Sequence, residues 1–193
     1  VAYVDIDCHH GDGVQYAFYD TDKVLTISIH ESGDYLFPGT GFTDEIGSGK
    51  GRGYSVNLPL YPKTCDDVYF WAFRNIVNPI LHAFKADVIV TQLGIDTHFS
   101  DPLTHLSLTT QGFANIVDEL SKSAPLWLAL GGGGYNPQAV ARGWTLAYSK
   151  ILGKALPDRI PTTYHQTHGI VTLTDHSWPK QKASIQNDAR DFA

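Results

Sequence analysis

Five side chains able to do chemistry, Asp5, Asp7, His9, His10 and Asp12, follow one another closely where the apolar segment Val1 to Ile6 gives way to Gly11 and Gly13. Side chains alternate on an extended chain, so Asp5, Asp7 and His9 share one face while Ile6 and Cys8 share the other. The stacked carboxylates would repel one another unless a cation offsets them, whether a divalent ion, a monovalent ion or histidine protons. A metal is the first expectation. In the plainer alternative Asp5 and Asp12 cap turns and helix starts while His9 and His10 are satisfied polar residues near the surface. Against it stands the expense of keeping a row of ionisable groups after an apolar strand without a task.

Two more stretches end in comparable chemistry. Asp87 to Gly94 is an almost continuously apolar run that finishes at Asp96, with Thr97, His98 and Asp101 close behind. Pro125 to Leu130 runs into four glycines, Gly131 to Gly134, and then Tyr135. Asp7, His9 and Asp96 supply the nitrogen and oxygen donors of an open zinc site, which activates water and polarises a carbonyl. Amide hydrolysis then needs a donor for the developing oxyanion, and a phenol held by a glycine-rich turn, Tyr135, fits that need.

The elements that must position these groups alternate between strand and helix. The stretch opening at Val1 and ending in the Asp5, Asp7 and His9 cluster, Lys23 to Ile29, Tyr54 to Leu58, Asp87 to Gly94 and Pro125 to Leu130 read as strands, the last two as strands buried in a parallel sheet. Helices are expected from Val14 to Tyr19, from Thr64 through Phe84 with a kink at Pro79, from Thr109 to Ser121, and from Val140 to Leu152. Phe113, Ile116, Val117 and Leu120 should face inward on the third, and Trp144, Ala147, Tyr148 and Ile151 on the fourth. The loop from His30 to Gly41 carries Leu36 and Phe37 on no regular period, which makes Phe37 either a substrate-channel wall or a core side chain. Gly47 to Gly53 lacks the spacing of a phosphate loop and leads into a strand, so it is not read as one. Beyond Leu156 periodicity fades, and 157–193 is expected to be an irregular extension with one short helix near its end. His165, His168 and His176 match no ligand spacing there.

A mostly parallel sheet covered by helices on both faces follows, with ligands at the carboxyl ends of its strands. The formal charge of −6 and the absence of lysine or arginine runs argue against nucleic acid and against anionic lipid. Two cysteines, Cys8 and Cys65, indicate neither a disulfide framework nor a cysteine zinc site, and suit a reducing cytoplasmic setting. The chain opens without methionine directly into a strand, which leads to the expectation that upstream material is missing.

Taken jointly, Asp5-Ile6-Asp7-Cys8-His9-His10-Gly11-Asp12-Gly13, Phe37-Pro38-Gly39-Thr40-Gly41, Gly94-Ile95-Asp96 with Asp101-Pro102-Leu103, and Gly131 to Tyr135 resemble the histone deacetylase superfamily. His30-Glu31-Ser32-Gly33-Asp34-Tyr35-Leu36-Phe37-Pro38 and Thr91-Gln92-Leu93-Gly94 are most similar to bacterial acetoin-utilisation deacetylases. The resemblance implies a three-layer α/β/α arginase-like fold, incomplete on its amino-terminal side, with 1–156 forming part of the catalytic domain. It implies removal of acetyl groups from acetyl-lysine or a small acetylated amine, using zinc or ferrous iron. Asp7, His9 and Asp96 then match the metal ligands, Tyr135 the oxyanion donor, and Phe37 and Gly133 the channel. Potassium is implied at an inner site of Asp5, main-chain oxygens of Asp7 and His9, and Ser28 with Ile29. An outer site would use main-chain oxygens of Phe18, Thr21, Val24 and Tyr54. Family members carry an adjacent histidine pair upstream, oriented by residues matching Asp5 and Asp12. This chain lacks that pair, so it is expected to be weakly active or inactive alone. Alternatives are an acetylpolyamine amidohydrolase, a two-manganese arginase-type hydrolase, and a non-catalytic module that binds an acetylated ligand.

Overall fold

A computed structural model describes residues 1–179 and 183–192. Five strands, β1 (Ala2–Asp5), β2 (Leu25–Glu31), β3 (Ser55–Leu60), β4 (Val88–Leu93) and β5 (Leu126–Gly131), form one sheet in the order β3-β2-β1-β4-β5. Every pairing is parallel. From β1 the chain winds outward through β2 to β3, then returns to lay β4 on the other side of β1. This reversal makes the β1/β4 boundary the topological switch point, where an open parallel sheet has a crevice for ligands.

The β-branched and apolar residues of β1 to β4 make the core. Val4, Ile27, Ile29, Leu60 and Ile89 are fully enclosed together with Tyr69, Phe73, Phe113, Ile116, Val117 and Leu120 from the helices. Each such side chain stabilises the fold by about 1.5–3 kcal/mol relative to exposure. The helices are α1 (Asp12–Ala17), α2 (Asp66–Ala72), α3 (Asn78–Phe84), α4 (Thr110–Leu120), α5 (Pro137–Ile151), α6 (Thr162–His168) and α7 (Ala183–Phe192). The expected inner stripe of α4 is buried throughout, and Thr109 caps the helix by accepting the Gly112 N–H at 3.0 Å.

Several expectations need correction. The helix expected from Thr64 to Phe84 is not simply kinked at Pro79. A π-helical turn, Phe73–Val77, precedes the proline and joins α2 to α3, which relieves the clash a proline ring makes with the carbonyl four residues back. The helix starts later than Thr64, with Cys65 at its N-cap and the Thr64 hydroxyl donating to the Tyr61 carbonyl at 2.6 Å. Strand β2 extends through His30 and Glu31, both buried, where a loop was expected. Strand β5 is not buried: it is one edge of the sheet, β3 being the other, and Leu126, Leu128 and Leu130 are 63%, 53% and 43% exposed. On α5 Ala147 is buried as expected, but its buried companions are Ala139 and Gly143, and Trp144, Tyr148 and Ile151 turn toward the surface. Small residues face inward because the helix lies tight on the core; a Cβ at Gly143 would meet Ile95 Cδ1 at 1.7 Å.

The carboxyl-terminal region is more ordered than an irregular extension. Ile160, Ile170 and Leu173 form a small second cluster with Leu146 and Tyr164, and Arg159 and Thr172 make an antiparallel bridge. Helix α6 accounts for His165 and His168, and His176 pairs with Asp158 at 2.8 Å. Helix α7 rests against the start of α2 through Cys65 and Gln186.

Candidate functional site

The carboxyl ends of β1, β4 and β5 deliver their side chains to one cavity of about 330 Å³. It is lined by Asp5, Asp7, His9, His10, Gly11, Asp12, Phe37, Pro38, Gln92, Gly133 and Tyr135. At its floor, ligand atoms of Asp7, His9 and Asp96 all lie within 4.8 Å of one another. His9 Nδ1 stands 2.9 Å from Asp7 Oδ1 and 3.1 Å from Asp96 Oδ2, so the nitrogen that a metal would take faces both carboxylates.

Each ligand is held from behind. Asp7 Oδ2 accepts from Gln92 Nε2 and from the Gly133 N–H, both at 2.8 Å. Asp96 Oδ1 accepts the Cys8 N–H at 2.7 Å, and the Asp96 carbonyl accepts from Thr104. Glycine is required at 133, where a Cβ would fall 2.2 Å from Asp96 Oδ2 and 2.7 Å from Asp7 Oδ2.

The electrostatics are those of a cation site. Hydrogen bonds to Asp7 and Asp96 lift His9 to about 10 against the opposing effect of burial. Burial raises Asp96 to about 6, with the Asp7 carboxylate adding to it and the His9 bond opposing. Burial works in the same direction on Asp7, but donors from His9 and Gln92 outweigh it and hold that carboxyl well below the usual range. The imidazolium proton thus occupies the position of a positive ion between two carboxylates. One nitrogen and two oxygen donors converging there, with no room for a Cβ beside them, fit a divalent metal of the zinc or ferrous class.

Around this centre the other expected residues separate. Tyr135 is half exposed, its ring edge-on to the His9 ring at 6.4 Å between centroids. Phe37 is 81% exposed on the cavity wall, not in the core. Asp5 is buried and accepts from the Asp7 N–H at 3.0 Å and the Tyr3 hydroxyl at 2.7 Å; burial chiefly lifts it to about 7. Ser28 is Asp5's register partner on β2. Asp12 lines the cavity mouth. His10 is buried between Thr40 Oγ1 and Gln15 Oε1, at 2.8 and 3.1 Å. His98 and Asp101 do not join the metal ligands: His98 pairs with Asp175, and Asp101 accepts the Tyr135 N–H at 2.8 Å.

Gln92, Tyr3 and Asp175 escaped sequence reasoning as working residues, and Asp101, singled out in the sequence, was not foreseen as the acceptor of the Tyr135 N–H. Gln92 stands two residues before Gly94 at the end of a strand whose partner is Asp5, and a polar side chain at that place was the available signal. Tyr3 stands two residues before Asp5 on the same face of β1, so alternation was a signal there too, whereas Asp175 reveals itself only through partners far along the chain.

The histone deacetylase domain model matches residues 1–151. The chain belongs to the histone deacetylase family. Among curated relatives, the acetoin utilization protein AcuC of Bacillus subtilis (strain 168) is 49% identical over 158 residues, which is 75% of this chain and 40% of that protein. AcuC of Staphylococcus xylosus is 38% identical over 190 residues, 93% of this chain and 49% of that protein. The chain therefore spans about half the length of these relatives. The crystal structure of an HDAC homologue complexed with SAHA superposes with a TM-score of 0.88 at 32% identity, covering 98% of this chain and 56% of the other. An HDAC homologue from Aquifex aeolicus gives 0.87 at 31%, covering 99% and 56%. The family fold, a mostly parallel sheet of the arginase and deacetylase type, agrees with the observed strand order.

Proposed function

We propose that this cavity is the metal centre of an amide hydrolase acting on acetylated lysine, of the kind found in bacterial acetoin-utilisation proteins. The observation that carries the reading is the convergence of Asp7, His9 and Asp96 beneath the Tyr135 ring. A zinc or ferrous ion held by these three residues would polarise the scissile carbonyl and activate water. Tyr135 donates its phenolic proton in a hydrogen bond to the carbonyl oxygen as negative charge develops there. Phe37 offers an apolar wall to the aliphatic stem of the side chain, and Gly133 leaves the floor open beside the ligands. Potassium is proposed near Asp5 and Ser28, with main-chain oxygens of Asp7, His9 and Ile29, and at a second place formed by carbonyls of Phe18, Thr21, Val24 and Tyr54.

General base catalysis is the weak half. Among the described residues lining the cavity, the imidazoles are His9 and His10. The first is a ligand and the second is committed to Thr40 and Gln15. Asp5 and Asp12 face the cavity without an imidazole to orient. The chain alone is therefore proposed to hydrolyse acetyl-lysine slowly or not at all. The same shortage favours a second reading, a site that holds an acetylated ligand without cleaving it. A small acetylated amine, such as a polyamine, would fit the same chemistry. Neither nucleic acid nor membrane is proposed as a partner, since no basic run is present and no described helix is long and apolar enough to cross a bilayer. A bacterial cytoplasm is the proposed location.

The test is turnover of an acetyl-lysine peptide and of acetylated spermidine by the zinc-loaded chain, beside equilibrium binding of both. Binding that depends on the metal, with turnover slow for whichever substrate binds more tightly, is expected. Metal-loaded chain that binds neither would contradict the reading.

A further inference from the structure

Asp175 lies in the region after α5, and no part of the reaction described above uses it. Its carboxylate is nevertheless a buried hub. Oδ2 accepts from His98 Nε2 at 3.0 Å and from the Thr110 N–H at 2.8 Å, while Oδ1 accepts from Arg142 at 2.7 Å. The side chains of His98 and Asp175 are 1% and 6% exposed. Gln111 fixes the Asp175 backbone from both sides, donating to its carbonyl at 3.0 Å and accepting its N–H at 2.9 Å.

The bonds beyond His98 have a direction. The Ser100 N–H donates to His98 Nδ1, which makes that nitrogen an acceptor and leaves the proton on Nε2, facing Asp175. Asn136 Nδ2 donates to Ser100 Oγ at 2.7 Å, so the serine hydroxyl is free to donate to His98 Nδ1 at 2.8 Å. Asn136 also caps α5, through Oδ1, and is the neighbour of Tyr135. The next residue of the same turn, Asp101, accepts the Tyr135 N–H. One buried carboxylate thus fixes a turn that grips Tyr135 and its neighbour at two points.

We propose that Asp175, acting through His98 and Ser100, is a positioning residue that sets the Tyr135 phenol over the metal centre. The inference rests on the hydrolase reading for its purpose, but its geometry does not. Asp175 touches no substrate, and the route to Tyr135 proposed for it is the turn 97–101, beside its direct bonds to Thr110 of α4 and Arg142 of α5. Asp175→Asn keeps the shape while removing one strong acceptor; Ser100→Ala breaks the same relay at its middle with less risk to folding.

The first measurement is amide hydrogen exchange in the full chain. The Tyr135 amide should exchange at least about tenfold faster in both variants, with the Ile6 amide, bonded to the Gln92 carbonyl on the sheet, unchanged. Unaltered exchange at Tyr135 in the variants that fold would overturn the proposal. The second measurement is a cycle with acetohydroxamate, a metal-chelating amide analogue, on zinc-loaded protein. Asp175→Asn should weaken binding about tenfold when Tyr135 is present and less than about twofold in the Tyr135→Phe background. Equal losses in both backgrounds would assign Asp175 a general structural role and overturn the positioning claim. Wild-type chain that holds zinc yet binds no acetohydroxamate would count against the hydrolase reading instead, and hydrogen exchange would still decide the clamp.

Discussion

The Gly133 N–H donates to Asp7 Oδ2 at 2.8 Å, joining the end of β5 to the end of β1 across 126 positions of sequence. That bond brings the glycine-rich turn against the two carboxylates at the floor of the cavity, at a position where a side chain has no room.

Gly133→Ala tests how much the centre depends on this approach. The added Cβ would press on both Asp96 Oδ2 and Asp7 Oδ2, and neither carboxylate can retreat without leaving His9. Zinc affinity is expected to fall by about ten- to a hundredfold, the loss typical of disturbing the groups that orient metal ligands. Competition against a chromophoric chelator checks it; unchanged affinity would mean that the carboxylates are not ligands.

Tyr135→Phe separates the donor from the ligands. Metal content should be unchanged, because Tyr135 contacts the centre only through ring packing on His9. Any hydrolysis of an acetyl-lysine peptide should drop by about a hundred- to a thousandfold, as when one oxyanion donor is removed. Metal analysis and single-turnover assays on the same preparations decide it.

His30 gives a prediction in pH. It is fully buried on β2, with its ring against His10, Nε2 donating to the Gly41 carbonyl, Nδ1 facing Ser28 Oγ, and Glu45 nearby. Burial, with the neighbouring His10, depresses it to about 4. A depressed base binds fewer protons folded than unfolded, so its contribution is complete above the unfolded value of about 6.5 and is lost as pH falls toward 4. The loss amounts to roughly 3 kcal/mol at about 1.4 kcal/mol per pH unit. Asp5 and Asp96, both raised, act in the opposite sense over part of this range. The measurement is therefore the difference in unfolding free energy between wild type and His30→Gln, which should shrink by that amount between pH 6.5 and 4.

The edge strand predicts association. Leu126, Leu128 and Leu130 line the open side of β5, and Trp144, Tyr148 and Ile151 of α5 continue the apolar surface. An unpaired strand edge with exposed leucines is a template for pairing with another chain. The isolated chain should self-associate at micromolar concentration, and Leu128→Lys should shift it toward monomer in sedimentation velocity. Monomeric wild type at all concentrations would refute this.

Much of the centre was legible from where its residues stand relative to apolar runs. Asp7 and His9 follow β1 closely, although they lie in a bend beyond its last residue and not on the strand itself, and Asp96 and Tyr135 follow apolar runs whose ends a parallel sheet brings together. What covers a strand was not legible. Leu126 to Leu130 reads as a buried run whether or not a neighbour lies beside it, and α5 carries both a small-residue stripe and an aromatic one, either of which periodicity allows to face inward. Polar partners distant in sequence, such as His98 with Asp175 or Tyr135 with Asp101, leave no local pattern at all. For that reason the region after α5 read as irregular although it holds a buried carboxylate.

The central claim, that Asp7, His9 and Asp96 assemble one metal site, is tested most directly by metal content. The purified chain and its Asp96→Ala variant would be equilibrated with zinc, freed of excess, and analysed beside circular dichroism spectra that establish folding. One ion per wild-type chain, absent from a folded variant, is the predicted result. A folded wild-type chain that retains no zinc, or a folded variant that retains it fully, would contradict the account.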